Sequence, residues 1–214
     1  LTAVETSLMP EEKYDFSEDN MVWNSGYFGA QYDGGDYTRA ISYLASWRGP
    51  VLEEDDVYGD GINNPDAGVV KHVQEAQIIE SKNLEAVKKA VFLYGGVESS
   101  LYTSMSYAGE RSMYYNDKNY SYCYIGTKKP NHDVVIIGWD DNYSKDNFSV
   151  SLEGNGAFIC VNSWGDSFGD DGLFYVSYYD SNIGIHNVVY TRVEDNDNYD
   201  NIYQSDLCGW VGQL

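Results

Sequence analysis

A chain of 214 residues, 43% hydrophobic and 22% charged, is long enough to bury one large core or two lobes, and its composition argues against intrinsic disorder. Thirteen Lys and Arg against 34 Asp and Glu give a net charge of -21, a surface that repels phosphate backbones and makes nucleic acid a poor partner. No run of about 18 apolar residues is present, so no membrane span is expected, and the first eight residues lack the basic and apolar regions of a signal peptide.

Leu1, Val4 and Leu8 recur at helical spacing and Pro10 ends the run, which predicts a helix at the start of the chain. It opens on Leu1 without a capping Ser, Thr, Asp or Asn, so earlier turns of the same helix are expected upstream. A second helix is predicted from Tyr37 to Trp47, between the Gly34-Gly35 turn and Gly49-Pro50. Glu53 to Asp66 reads as an acidic, turn-rich loop. Asn83 to Leu93 predicts a third helix, with Leu84, Val87 and Val91 on its apolar face. From Gly96 onward short β-prone runs take over: Val97 to Leu101, Val134 to Trp139, Ala157 to Val161, Leu173 to Tyr179 and Val188 to Val193. A helical first part and a β-rich second part predict two lobes, about residues 1–72 and 73–193. The acidic stretch from Glu194 to Asp200 reads as the beginning of a linker over 194–214.

The cysteines, Cys123, Cys160 and Cys208, form no CxxC or CxxH cluster, so neither a structural zinc site nor any other metal or cofactor is expected. Cys160 reads as a small core hydrophobe. The acidic run from Asp55 to Asp66 invites a calcium reading but lacks the alternate-position ligands and closing Glu of an EF-hand; a solvated, turn-forming loop accounts for it.

Two segments carry chemistry. His132 stands at the entry to the apolar run Val134-Val135-Ile136-Ile137, which anchors an imidazole able to take a proton from a thiol and return it to a leaving amine. Asn162 ends the run Ala157 to Val161 and is followed by Ser163-Trp164-Gly165. Its carboxamide oxygen can hold one ring nitrogen of a histidine and so fix the tautomer, while the adjacent Trp covers that bond from water.

Asn131-His132-Asp133-Val134 through Gly138, then Asn162-Ser163-Trp164-Gly165, Gly169 and Gly172-Leu173-Phe174-Tyr175, resembles the papain family of cysteine peptidases. The family pattern is N/D-H-A-V-x-x-x-G followed by K-N-S-W-G-x-x-W-G-x-x-G-Y. Phe168 replaces the second Trp of that pattern, and Asp133 stands where the family often has Ala. Phe16-Ser17-Glu18-Asp19-Asn20 resembles the segment after the family's central helix. Gly34-Gly35 resembles the paired glycines whose backbone binds substrate as an added strand. Tyr32 occupies the place of a family disulfide cysteine, so that staple is expected to be absent. A Cys123–Cys208 bridge is the one remaining pairing and stays open.

The resemblance implies an α+β, papain-like two-lobed fold over residues 1–193, with a helical left lobe, a β-barrel-like right lobe and an active-site cleft between them. It also implies a cysteine endopeptidase acting on polypeptide substrates. His132 would be general base and acid, Asn162 its orienting partner, and Gly34, Gly35, Asn131 and Trp164 would contact substrate. Leu1-Thr2-Ala3-Val4-Glu5 resembles the central helix just after the nucleophile. That register puts the missing Cys about six residues before Leu1, and His132 within the roughly 130–150-residue separation of papain-like enzymes. The rival is a papain-like binding or adhesion module without a nucleophile. Resemblance of the segment Asn201 to Asp206 to the linkers of bacterial surface peptidases implies a secreted or cell-surface bacterial protein with a pro-segment and further domains.

Overall fold

The computed structural model describes residues 1–27, 34–201 and 203. Tyr32, Cys208 and the remainder of the tail, on which three of the expectations above fall, lie outside these residues. The chain divides into two compact units, residues 1–77 with 190–214, and residues 78–189. The last strand begins in the second unit and ends in the first.

The first unit contains three helices, α1 (Thr2–Leu8), α2 (Glu18–Asn24) and α3 (Tyr37–Ala45). Helix α1 buries Ala3 and Val4, and its Glu5 carboxylate accepts the Phe16 amide at 3.0 Å. Helix α2, absent from the sequence expectation, is set by its cap: Ser17 Oγ accepts the Asn20 amide at 3.0 Å, with Glu18 and Asp19 in the first turn. Its inward residues, Asp19 and Asn20, are polar, so it shows no apolar period. Helix α3 is capped by Asp36, which accepts the Thr38 amide at 2.9 Å, and buries Ala40, Tyr43 and Leu44.

A polar network replaces packing beside these helices. Tyr43 Oη donates to Asn20 Oδ1 at 2.7 Å, and Asn20 Nδ2 donates to the buried Asp56 carboxylate at 2.8 Å. The acidic loop is therefore tied down through Asp56, while Glu53 and Asp60 accept the Tyr58 and Ile62 amides at 2.7 Å each. Among the described residues no group of three or more His, Cys, Asp or Glu is placed to hold a metal ion.

Strand β1 (Lys71–Ile79) pairs with the final strand, β8 (Asn187–Asp195). Neither end of that pairing follows the sequence reading. The buried head of β1 is Lys71-His72-Val73, too polar for a strand signal, and β8 carries ladder structure through Glu194 and Asp195 where a linker was expected. Lys71 Nζ explains why charge is tolerated there: it reaches Glu12 at 2.7 Å and Asp195 at 2.5 Å. His72 stacks on Trp47 with centroids 4.0 Å apart, and its Nδ1 lies 2.6 Å from Asn198 Oδ1.

The second unit opens with α4 (Leu84–Tyr94), capped by Asn83 Oδ1, which accepts the Ala86 amide at 3.1 Å. Then follow β2 (Val97–Leu101), the short β3 (Tyr115–Asn116) and β4 (Ser121–Tyr122), β5 (His132–Asp140), β6 (Ala157–Val161) and β7 (Leu173–Ser177). The sheet order here runs from β8 through β2, β5, β6, β7 and β4 to β3. Strand β2 pairs antiparallel with β5 and β8, β3 with β4, β5 with β6 and β6 with β7, while β4 and β7 run parallel. Val87, Val91, Val97, Leu101, Val134, Ile136, Phe158, Cys160 and Val176 fill the core. No helix among the described residues is long and apolar enough to cross a membrane.

Candidate active site

His132 is the first residue of β5 and pairs with Leu101, the last of β2. Its position is fixed from the preceding residue. The Asn131 amide donates to the Leu101 carbonyl at 3.1 Å. The Asn131 carboxamide then embraces Thr103, accepting its amide at 2.8 Å and donating to its carbonyl at 2.9 Å. Asn131, expected to touch substrate, thus has both ends of its carboxamide on backbone while the residue itself is exposed.

Asn162 lies 30 residues on, directly after β6, the strand adjacent to β5. Its Oδ1 lies 2.8 Å from His132 Nε2 and 2.9 Å from the Ser163 amide nitrogen. A backbone N–H can only donate, so the Asn162 atom it meets is the carboxamide oxygen. That oxygen in turn requires His132 Nε2 to carry hydrogen, which leaves Nδ1 as the basic nitrogen of the neutral ring. Asn162 is only 7% exposed, so this bond is protected from competing water.

Trp164 covers the pair, its ring centroid 5.1 Å from that of His132. Phe168 and Trp164 meet in a T-shaped arrangement with centroids 5.0 Å apart, and Phe168 is itself packed against Tyr115 and Phe174 with centroids 5.2 and 5.3 Å away. Phe168 therefore fills a closed aromatic pocket in place of a second indole. The loop between needs glycine: Gly169 has φ +65°, and a Cβ there would stand 2.0 Å from the Leu173 carbonyl oxygen.

The sequence-predicted residues thus separate into two groups. His132, Asn162, Asn131 and Trp164 are assembled in the second unit. Gly34 and Gly35 belong to the first, where Gly34 has φ +74° and its carbonyl accepts Arg39 Nη1 at 2.9 Å. Sequence reasoning did not reach Ser100 and His186, which stand beside Asp133: Ser100 Oγ donates to Asp133 Oδ1 at 2.6 Å and lies 3.4 Å from His186 Nδ1. Only the cross-strand register makes them neighbours, and register is not written in any local motif.

Neither described cysteine offers a nucleophile. Cys123 and Cys160 are free and fully buried. Burial, reinforced by Asp180, pushes the Cys123 thiol up to about 12 and the Cys160 thiol well above its ordinary value.

The family model for the papain family of cysteine proteases matches residues 2–193. The chain belongs to the papain family of cysteine proteases. No curated protein matches the chain. Among solved structures it is similar to the clostridial cysteine protease Cwp84 after propeptide cleavage, at 33% identity and a TM-score of 0.84, covering 98% of this chain and 55% of that one. A second structure, of the cysteine protease and lectin-like domains of Cwp84, a surface layer associated protein of Clostridium difficile, is 32% identical with a TM-score of 0.82, covering 97% and 49%. The chain thus spans about half the length of these relatives. The bromelain protease from Ananas comosus shares the papain-like α+β fold at 19% identity and a TM-score of 0.63, covering 88% and 84%.

Proposed function

We propose that this papain-family domain is a cysteine endopeptidase whose nucleophile is a Cys about six residues upstream of Leu1, with His132 and Asn162 completing the site. One observation carries the reading: the Ser163 amide and His132 Nε2 converge on Asn162 Oδ1 and leave His132 Nδ1 to exchange a proton with the thiol.

In the proposed reaction Nδ1 takes the thiol proton, the thiolate adds to the peptide carbonyl carbon, and the imidazolium returns the proton to the amine as the C–N bond breaks. Water then attacks the acyl-enzyme, with His132 taking its proton and the thiol leaving as the acid is released. Gly34 and Gly35 bind substrate backbone, and Asn131 and Trp164 frame the substrate at His132. The relatives named after a propeptide, a lectin-like domain and a surface layer support a bacterial secreted or cell-surface protein with a pro-segment and further domains.

The test is labelling of protein that includes the upstream segment by an irreversible epoxide thiol inhibitor. Labelling of one upstream Cys, and its loss in His132→Ala, are expected. Labelling and cleavage that both survive His132→Ala overturn the assigned base. Ser, Gly or Ala at the nucleophile position sinks the peptidase and leaves a papain-like binding module.

A further inference from the structure

The first unit carries a groove of about 420 Å³ between α2 and the stretch that leads into β1. Trp23 and Asn24 line it from the last turn of α2, and Pro65, Ala67 and Val69 wall the other side. Arg48 Nη1 donates to the Asn24 carbonyl at 3.1 Å, which holds the guanidinium at the same lining. Trp23 keeps 40% of its surface exposed, a large indole that α2 leaves on its solvent side. Both Nδ2 hydrogens of Asn24 are engaged, on the Asn20 carbonyl at 3.0 Å and on Asn63 Oδ1 at 2.9 Å. A carbonyl can only accept, so the atom facing it is the nitrogen, and the other end of the carboxamide is the oxygen. Among the described residues no donor reaches Asn24 Oδ1 and no acceptor reaches Trp23 Nε1.

An open acceptor and an open donor beside an indole plane match hydroxyl groups, each of which both donates and accepts, carried on a ring with an apolar C–H face. The volume is that of a small-molecule site. A peptide strand fits less well, because strand addition needs an unpaired backbone edge. In the wall of the groove Pro65 has no amide hydrogen, the Ala67 amide donates to the Asn64 carbonyl at 3.2 Å and the Val70 amide to the Pro50 carbonyl at 2.9 Å, and the Val69 carbonyl accepts Asn196 Nδ2 at 2.5 Å. An anionic ligand is opposed by the exposed Asp55, Asp60 and Asp66 of the adjoining loop and by the net charge of -21. We propose that this groove binds a neutral saccharide, with one sugar ring stacked on the Trp23 indole and neighbouring hydroxyls meeting Trp23 Nε1 and Asn24 Oδ1. The proposal does not depend on a nucleophile and stands apart from the peptidase reading.

The test uses protein with its upstream segment and a panel of soluble trisaccharides of glucose, mannose, galactose and N-acetylglucosamine, with trigalacturonate as the anionic control. Saturation-transfer NMR screens the panel and calorimetry titrates the neutral sugar that binds. A neutral trisaccharide is expected to bind and trigalacturonate is not. Trp23→Ala, at an exposed position, should raise Kd about tenfold or more, and Trp23→Phe, which keeps a ring but loses the N–H, by less. A panel in which no neutral trisaccharide binds overturns the proposal. So does an unchanged Kd in a Trp23→Ala protein that melts as wild type does, since the sugar then sits elsewhere. Preference for trigalacturonate over every neutral sugar overturns the ligand class.

Discussion

The indole of Trp164 lies over the imidazole of His132, with ring centroids 5.1 Å apart and planes inclined at 31°. The indole thus shields the Asn162–His132 hydrogen bond, and a bond kept from water holds its geometry more strongly. In protein with the upstream segment, Trp164→Ala is expected to lower kcat/KM by about tenfold, equivalent to about 1.4 kcal/mol of transition-state stabilisation. Trp164→Phe should recover most of it. Steady-state kinetics on one peptide decides, and equal kcat/KM for Trp164→Ala and wild type would show that the cover is idle.

Gly169 and Gly165 differ in what a side chain would meet. Both have positive φ, +65° and +76°, but an added Cβ at Gly169 collides with the Leu173 carbonyl while at Gly165 it meets nothing. Gly165→Ala should cost about 1 kcal/mol from backbone strain alone, and Gly169→Ala at least about 3 kcal/mol. Urea denaturation of both variants measures the difference.

Burial raises the Glu5 carboxyl above its ordinary 4.5, partly offset by the Phe16 amide it accepts, with Asp15 adding a further upward push. The folded protein thus holds this proton more tightly than the unfolded chain does. Its stabilising contribution is complete below the unfolded value and is lost as pH rises through the raised one. Glu5→Gln, whose amide oxygen can still accept from Phe16, should melt higher than wild type at pH 7. The gap should close near pH 4. Thermal melts across that interval test the sign.

Cys123 and Cys160 should be inert in the native state. With raised thiols and no exposure, neither should react with a chromogenic disulfide at pH 8, and denaturant should release both. Peptide mapping after labelling identifies the sites. Native reaction of either residue would contradict the burial described.

What the sequence disclosed depended on how local the cause was. Helices α3 and α4 and strands β2 and β6 came through because cap residues and apolar periodicity lie within a few positions of each other. The pairing of His132 with Asn162 was legible for the same reason: each sits at a strand end with a distinctive neighbourhood. Helix α2 was missed because it buries Asp19 and Asn20 into a polar network closed by Asp56, whose contribution comes from 36 residues away. Strand β1 was missed because Lys71 and His72 are buried by partners at Glu12, Asp195, Trp47 and Asn198. The Ser100–Asp133–His186 row required three strands to be in register before it existed at all.

Strand β8 gives its last residues to the unit that the chain starts with. Lys71 waits for Asp195 across 124 positions of sequence, and β1 has no ladder partner until β8 is made. On the ribosome, then, residues 78–189 are all synthesised before the opening unit can close. Of the two units, the one whose strands come earlier is completed later, and a nascent chain interrupted before residue 190 leaves β1 without its β8 partner, an edge prone to aggregation.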